Sequence, residues 1–538
     1  MRIHQKRQLK VMVLVLASAL VLCSMPGELH AQTSNPLAFT FDGPVRGTVN
    51  SAGVHEFLGI PYAAPPVGNL RWRPPVPHAP WFQALNATQF ANHCPQPESP
   101  FGIESTTEDC LFLNVFTPGS SDFRLRPVMV WIHGGALVTG ESNDYDPTAM
   151  VQDGVIVVTI NYRLGALGFL AHPAFAAENT DPDRDGDIDP NSAGDYGLMD
   201  QQLALRWVRD NIVFFGGDPF NVTIFGESAG GLSVFSQLAS PAAANLFQKA
   251  IIESGAYALN TQTLATAEFA GTAFATAAGC GSQTAACLRA LPVTTILVNE
   301  NPAGYTPNID GEFLPLSLGT ALATGRFHHV PVIQGSNHDE WRLFVALDFD
   351  LTTGPIANNE TAYEEALATL VGPELAPIVA LEYPLTSFSS PDLAFGAAGT
   401  DAVFACPALG ADLFMSQFVP LSTYEFNDEK APEDFLPPVS FPYGAAHASE
   451  LQYLFNLPVT VPRLPLNSQQ LQLSSAMQHY WTNFAKFGTP NSSGVPAWLE
   501  FNPVTLNFQS LIPPSPVEET NFAAAHKCAF WAPLLAAE

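Results

Sequence analysis

Residues 222–225, Val-Thr-Ile-Phe, run directly into Gly226-Glu227-Ser228-Ala229-Gly230-Gly231, and residues 232–238 that follow have helical character. An apolar β-branched run, a G-x-S-x-G turn and a helix in that order constrain the fold more than any other feature of the chain. Such a turn holds its serine on strained backbone, and the flanking positions must be glycine because strand and helix approach too closely for a β-carbon. The turn therefore calls for a buried strand feeding a helix that packs back on the sheet. Other runs repeat the pattern, at 128–132, 155–160, 250–252 and 330–333. They are apolar throughout rather than alternating, which suits parallel strands covered on both faces. Between them Leu198, Leu205, Val208 and Ile212 form a helical stripe, ended by Gly216-Gly217-Asp218-Pro219. The alternation predicts a doubly wound α/β architecture. No internal repeat or long low-complexity linker divides the chain, so residues 32–538 read as a single α/β domain, with a mostly parallel central sheet, flanking helices and Pro-rich loop insertions.

A serine hydroxyl is a poor nucleophile at neutral pH unless a histidine takes its proton and a carboxylate orients that histidine. On this kind of turn both partners follow the serine in the chain, acid first. Thirteen histidines and fifty acidic residues compete for the two roles, and spacing alone does not choose. The oxyanion site can be read separately. The run 128–132 leads into His133-Gly134-Gly135-Ala136, where small residues let backbone N–H groups reach a substrate carbonyl. With Ala229, just after the serine, Gly135 and Ala136 make a candidate three-donor hole.

Arg2, Lys6, Arg7 and Lys10 precede an apolar run at 11–22 and then Leu29-His30-Ala31, the pattern of a secretory signal peptide over residues 1–31. That run is shorter than the roughly 20 residues a membrane-spanning helix needs. Lipid attachment at Cys23 is the other reading, and the bulky Leu22 before it speaks against that. No later stretch reads as long and apolar enough to span a membrane, so no stable insertion is expected. The formal net charge is −29, and loss of the leader makes it more negative. Such a surface repels nucleic acid and anionic membranes and favours solubility. Six cysteines remain outside the leader, an even number for an oxidising compartment. Spacing does not select among the fifteen pairings six cysteines allow. The absence of a C-x-x-C pair disfavours zinc.

Glu108-Asp109-Cys110-Leu111-Phe112-Leu113-Asn114-Val115, taken with residues 225–231, resembles the paired signatures of the type B carboxylesterase family, which includes carboxylesterases, bile-salt-activated lipases and cholinesterases. The resemblance spans nearly the whole mature chain, taking in residues 65–73, 161–166, 197–219, 309–313 and 480–486. It implies an α/β-hydrolase fold and hydrolysis of a small-molecule carboxylic ester through an acyl-enzyme, with no cofactor needed for catalysis. It also implies which residues complete the site. The family's acid lies in a G-x-N-x-D-E segment, matched by residues 335–340, which gives Glu340. Its histidine follows a small-residue turn, as His447 does after Gly444-Ala445-Ala446. Glu227 resembles a buried glutamate beside the family nucleophile, outside the triad. The resemblance further implies disulfides pairing Cys94 with Cys110, Cys280 with Cys287 and Cys406 with Cys528, and an ion pair between Arg71 and Glu108. The sequence departs from the family pattern at two places, of which only the first bears on substrate. No tryptophan lies between Cys94 and Cys110, so a cation–π platform for a quaternary ammonium is not supported. Alanine stands at position 136 where many esterases have a third glycine.

Residues 181–189 place carboxylates at Asp181, Asp183, Asp185, Asp187 and Asp189, with Gly186 between, in a pattern close to a calcium loop. Ser192 stands where a bidentate glutamate is expected, so the loop is a candidate for structural calcium against the alternative of a solvated acidic turn. Two other functions compete with simple ester hydrolysis. A lipase would use the same chemistry with a different acyl pocket, and a non-catalytic binding module would have lost the serine, which is intact here.

Overall fold

The computed structural model describes residues 35–119, 124–178, 192–301, 305–462 and 464–535. The signal-peptide reading of residues 1–31 and the candidate calcium loop at 181–189 lie outside them. From Pro36 onward the chain forms one compact unit. Its main sheet contains β1 (Thr48–Val49), β2 (Val54–Pro61), β3 (Phe112–Pro118), β4 (Arg126–Ile132), β5 (Ile156–Ile160), β6 (Gly217–Glu227), β7 (Lys249–Glu253), β8 (Val332–Asn337), β9 (Leu421–Phe426), β10 (Phe508–Leu511) and β11 (Val517–Glu519). Their spatial order is β11-β10-β9-β8-β7-β6-β4-β5-β3-β2-β1. The strands from β10 across to β5 pair in parallel, and antiparallel strands close both edges.

Alternate residues of the central strands enter different cores. Val128, Val130, Ile132, Val222, Ile224, Ala250 and Ile252 join one, with Leu232, Phe235 and Leu238 of helix α2 (Ala229–Ala239). Met129, Trp131, Phe225 and Ile251 join the other, with Met477, Tyr480 and Trp481 of a helix spanning Ser468–Phe487. Burial on both faces is why these strands carry unbroken apolar runs instead of alternation. Helix α1 (Tyr196–Asn211) packs on the first core.

Three expectations shift. The run at 330–333 begins as a strand only at Val332, since Pro331 has no N–H to give a ladder, and β8 then continues through polar Ser336 and Asn337. Helix α1 stops at Asn211, with Ile212 opening a separate 3₁₀ turn, and Gly216 caps it at φ 86° before β6 starts at once. The third concerns membrane-spanning character. The 25-residue segment Pro391–Met415 is long and apolar enough by composition, with a mean hydropathy of 1.3. Its window is 72% buried within the unit, so its apolar surface is spent on the core. This segment is α3 (Pro391–Gly399), a π-helical stretch at Thr400–Ala405, and α4 (Cys406–Met415).

The three disulfides are present at the expected pairs, Cys94 with Cys110, Cys280 with Cys287 and Cys406 with Cys528. Arg71 pairs with Glu108, its Nε donating to Oε1 at 2.7 Å.

Candidate active site

The strand order reverses at β4, which has β5, the next strand in the chain, on one side and β6, the one after that, on the other. Crevices at such switch points, beyond the carboxyl ends of the strands, are where open α/β sheets bind ligands. Here β4 runs into His133-Gly134-Gly135-Ala136 and β6 runs into Ser228.

Ser228 has φ 55° and ψ −120°, a left-handed conformation costly for a residue with a side chain. Surrounding structure holds it there. Its N–H donates to Glu253 O at 2.9 Å and its carbonyl accepts from Leu232 N at 2.9 Å, closing the first turn of α2. The two turn glycines have a steric reason. A β-carbon on Gly226 would stand 2.6 Å from Ile132 O, and one on Gly230 would strike the same oxygen.

On the neighbouring loop Gly135, Ala136 and Leu137 all have positive φ, 94°, 55° and 59°. The bend turns Gly135 O inward, where it accepts from Val138 N and Thr139 N, each at 3.0 Å. Among the described residues the N–H groups of Gly135, Ala136 and Ala229 donate to no protein acceptor. Ala136 is exposed, so this loop opens to solvent. His133 beneath it is buried and neutral: burial pushes its pKa down to about 4, and its ring stacks on Tyr162 at 4.4 Å.

Glu340 follows β8 and His447 follows β9. Two short turns lace them together, with Asp339 N donating to Ala445 O at 3.0 Å and Ala445 N donating to Asp339 Oδ2 at 3.0 Å. Glu340 Oε2 lies 2.6 Å from His447 Nδ1. Its Oε1 accepts from Asn337 N at 2.7 Å and from Ser254 Oγ at 2.5 Å. The carboxylate is thus fixed from three sides.

The other imidazole nitrogen is placed differently. His447 Nε2 stands 3.1 Å from Glu227 Oε1 without hydrogen-bond geometry to it, and has no hydrogen-bond partner among the described residues. Ser228 Oγ forms none there either. The structure therefore makes the Glu340–His447 half of the expected triad and brings His447 against the residue next to Ser228, while the Ser228–His447 bond itself is not formed. Burial raises Glu227 to about 8, with Glu450 and Glu340 adding to it. Burial would lower His447, but the charges of Glu227 and Glu340 carry it up to about 9.

Several neighbours were not apparent in the sequence. Glu253 ends β7 and Ser254 follows it, and polar residues closing a buried parallel strand were the available signal. Glu450 accepts from Asn337 Nδ2 at 2.5 Å. Phe344 and Phe404 pack on the His447 ring at 5.2 and 4.9 Å, supplying an apolar wall that no motif announces.

One group among the described residues has metal-ligand composition. His338, Glu425 and His526 offer ligand atoms within 4.8 Å of one another. Both ring nitrogens of His526 already face carboxylates, Nδ1 to Asp401 Oδ1 and Nε2 to Glu425 Oε1, each at 2.5 Å. The arrangement is a hydrogen-bonded imidazole between two acids, and a metal would have to displace its proton.

A strained serine between a parallel strand and a helix, with unused backbone donors beside it and a glutamate-bound imidazole, defines a serine hydrolase of the α/β-hydrolase fold. The comparisons with known proteins give the family. The model of the carboxylesterase family matches residues 34–531. The chain is 37% identical over 495 residues to para-nitrobenzyl esterase of Bacillus subtilis, covering 87% of this chain and 94% of that protein. It is 35% identical over 511 residues to pyrethroid hydrolase Ces2e of Rattus norvegicus, covering 89% and 86%. A solved pNB esterase superposes with a TM-score of 0.76 at 33% identity, covering 92% of this chain and 99% of that one. The chain belongs to the carboxylesterase family and is a carboxylic ester hydrolase.

Proposed function

We propose that Ser228 is the nucleophile, His447 the general base and acid, and Glu340 the group that orients His447. The observation that carries this reading is the unused Nε2 of an imidazole whose Nδ1 is held by Glu340, beside a serine kept in a left-handed conformation. A substrate carbonyl carbon accepts Ser228 Oγ while the hydroxyl proton passes to His447 Nε2. The carbonyl oxygen takes the negative charge and is met by the N–H groups of Gly135, Ala136 and Ala229. Each such donor is worth on the order of 3 kcal/mol in the transition state. His447 then returns its proton to the departing alcohol, leaving the acyl-enzyme, and a water attacks by the same route to free the acid and restore Ser228.

Phe344 and Phe404 beside His447, together with a cleft already crowded with buried glutamates, favour uncharged esters with an apolar group over anionic ones. The three disulfides fit an oxidising compartment, and the 1–31 leader supports export as its route there. Hydrolysis of p-nitrophenyl esters of increasing chain length, with Ser228→Ala as control, tests the assignment. Activity confined to dissolved short-chain esters supports an esterase, and a jump above the solubility limit of long-chain esters identifies a lipase. Hydrolysis surviving in Ser228→Ala at the wild-type rate rejects the mechanism.

A further inference from the structure

The His526 cluster touches neither Ser228 nor His447, yet it meets the π-helical stretch, strand β9 and the turn that carries Glu340. Asp401 lies in the π-helical stretch Thr400–Ala405. Stretches of this kind interrupt a helix at a cost and are frequent at functional sites, since the extra residue re-aims the side chains around it. Here three of its side chains turn toward the acid turn or its support. Thr400 Oγ1 accepts from Trp341 N, next to Glu340, at 3.0 Å. Phe404 packs on the His447 ring at 4.9 Å. Asp401 between them accepts from Tyr383 OH at 2.6 Å and faces His526 Nδ1.

On its other side His526 faces Glu425, whose strand β9 pairs with β8 so that Glu425 lies opposite Ser336 and Phe426 opposite Asn337. His338 N continues that ladder to Phe426 O at 3.1 Å, and its ring stands 5.5 Å from the His526 ring. His526 thus bridges the π-helical stretch to β9, the strand paired with the one that carries the acid turn. It comes from the far end of the chain and is secured there by the disulfide joining Cys406, the residue after the π stretch, to Cys528.

We propose that His526 is a positioning residue for ester hydrolysis: clamped between Asp401 and Glu425, it fixes the Thr400–Ala405 stretch against the turn bearing Glu340, and so sets how Glu340 and Phe404 hold His447. The inference rests on the triad reading above. Burial alone would strip the imidazole of its proton, but Asp401 and Glu425 carry its pKa up to about 10, so the clamp is an ion pair on both sides through the neutral range. The groups facing it are Asp401 from the π stretch, Glu425 from β9 and His338 from the acid turn, with Glu519 behind Glu425 and Asp339 beside His338.

The test uses the full mature chain and counts active sites by stoichiometric labelling with a fluorophosphonate, so that turnover is expressed per reactive serine. In His526→Gln, and independently in Asp401→Asn, kcat for p-nitrophenyl acetate is expected to fall on the order of tenfold, because a small misplacement of a catalytic group costs 10- to 100-fold, roughly. KM should change less than about twofold, as uniform binding is untouched. Lys527→Ala, which removes the adjacent contact with Glu382, should leave kcat unchanged. A His526→Ala chain should regain part of its turnover when imidazole is added, since the vacated space takes a free ring. Lowered melting temperature with unchanged kcat per labelled site in both variants would reduce His526 to a structural staple and overturn the proposal. Stoichiometric zinc in the purified protein, lost in His526→Gln, would also overturn it by making the residue a metal ligand. Failure of wild-type Ser228 to label would instead sink the triad reading, separately from this one.

Discussion

Two buried imidazoles in this molecule share a composition and differ in one respect. His447 and His526 each lie between two carboxyl groups, Glu340 and Glu227 in the first case, Asp401 and Glu425 in the second. Both have pKa values carried upward by those acids against the effect of burial. His526, however, has both ring nitrogens hydrogen-bonded at 2.5 Å, whereas His447 keeps Nε2 without a partner. A saturated imidazole can only hold things together. One with a spare nitrogen, in contact with the residue next to a strained serine, can accept a proton there, and the difference between structure and chemistry lies in that single unfilled bond.

The comparison can be broken most directly at the serine and its base. Ser228→Ala or His447→Ala should lower kcat on the order of 10⁶-fold, and Glu340→Gln on the order of 10⁴-fold, measured on p-nitrophenyl esters with folding checked by circular dichroism. Comparable turnover in any of them removes that residue from the mechanism. The contrast with His526, where the expected loss is far smaller, is the sharpest single measurement.

A finer test addresses the acid near the spare nitrogen. Only unprotonated His447 can act as base, and the charge on Glu227 favours the protonated form. Glu227→Gln should therefore move the rising limb of the pH–rate profile toward lower pH, by about one unit for a charge this close. An unmoved limb would mean that Glu227 carries no charge in the working enzyme.

The alkaline stability of the two clusters should also diverge. His526 binds its proton more tightly in the folded protein, about 10 against a usual value near 6.5, so its contribution is fully present below the latter and is lost as pH rises through the former. Melting temperature in the wild type should therefore fall progressively between about pH 6.5 and 10. His526→Gln should flatten that fall, and an identical profile in the two proteins would remove His526 as its source.

The smallest expected effect concerns the candidate calcium loop of the sequence. If the carboxylates at 181–189 hold calcium, chelation should lower the melting temperature by a few degrees without changing kcat. An unchanged temperature counts against the ion.

What the sequence could and could not disclose follows from how each group is specified. Ser228 and the Gly135-Ala136 loop were legible because backbone strain and close approach admit few residue types, so glycines and small residues mark the place. The central strands were legible because burial on both faces forces unbroken apolar runs. Glu340 and His447 were not separable from other acids and histidines by pattern, and only resemblance to a known family singled them out, since their pairing is made across loops from different strands. Asp401, His526 and Glu425 escaped altogether. They are brought together by a π-helical stretch, a strand end and a tail segment, and no local periodicity records such a meeting. Pro331 likewise moved a strand boundary that hydrophobicity alone placed too early.

The bond between Cys406 and Cys528 ties the residue just after the π-helical stretch to one 122 positions later in the chain, two beyond His526. A nascent polypeptide that has not yet reached residue 526 has Ser228, Glu340 and His447 already synthesised, but lacks the imidazole proposed to brace the interrupted helix beside them. Competence would then come only once His526 has docked and the Cys406–Cys528 bond has closed behind it.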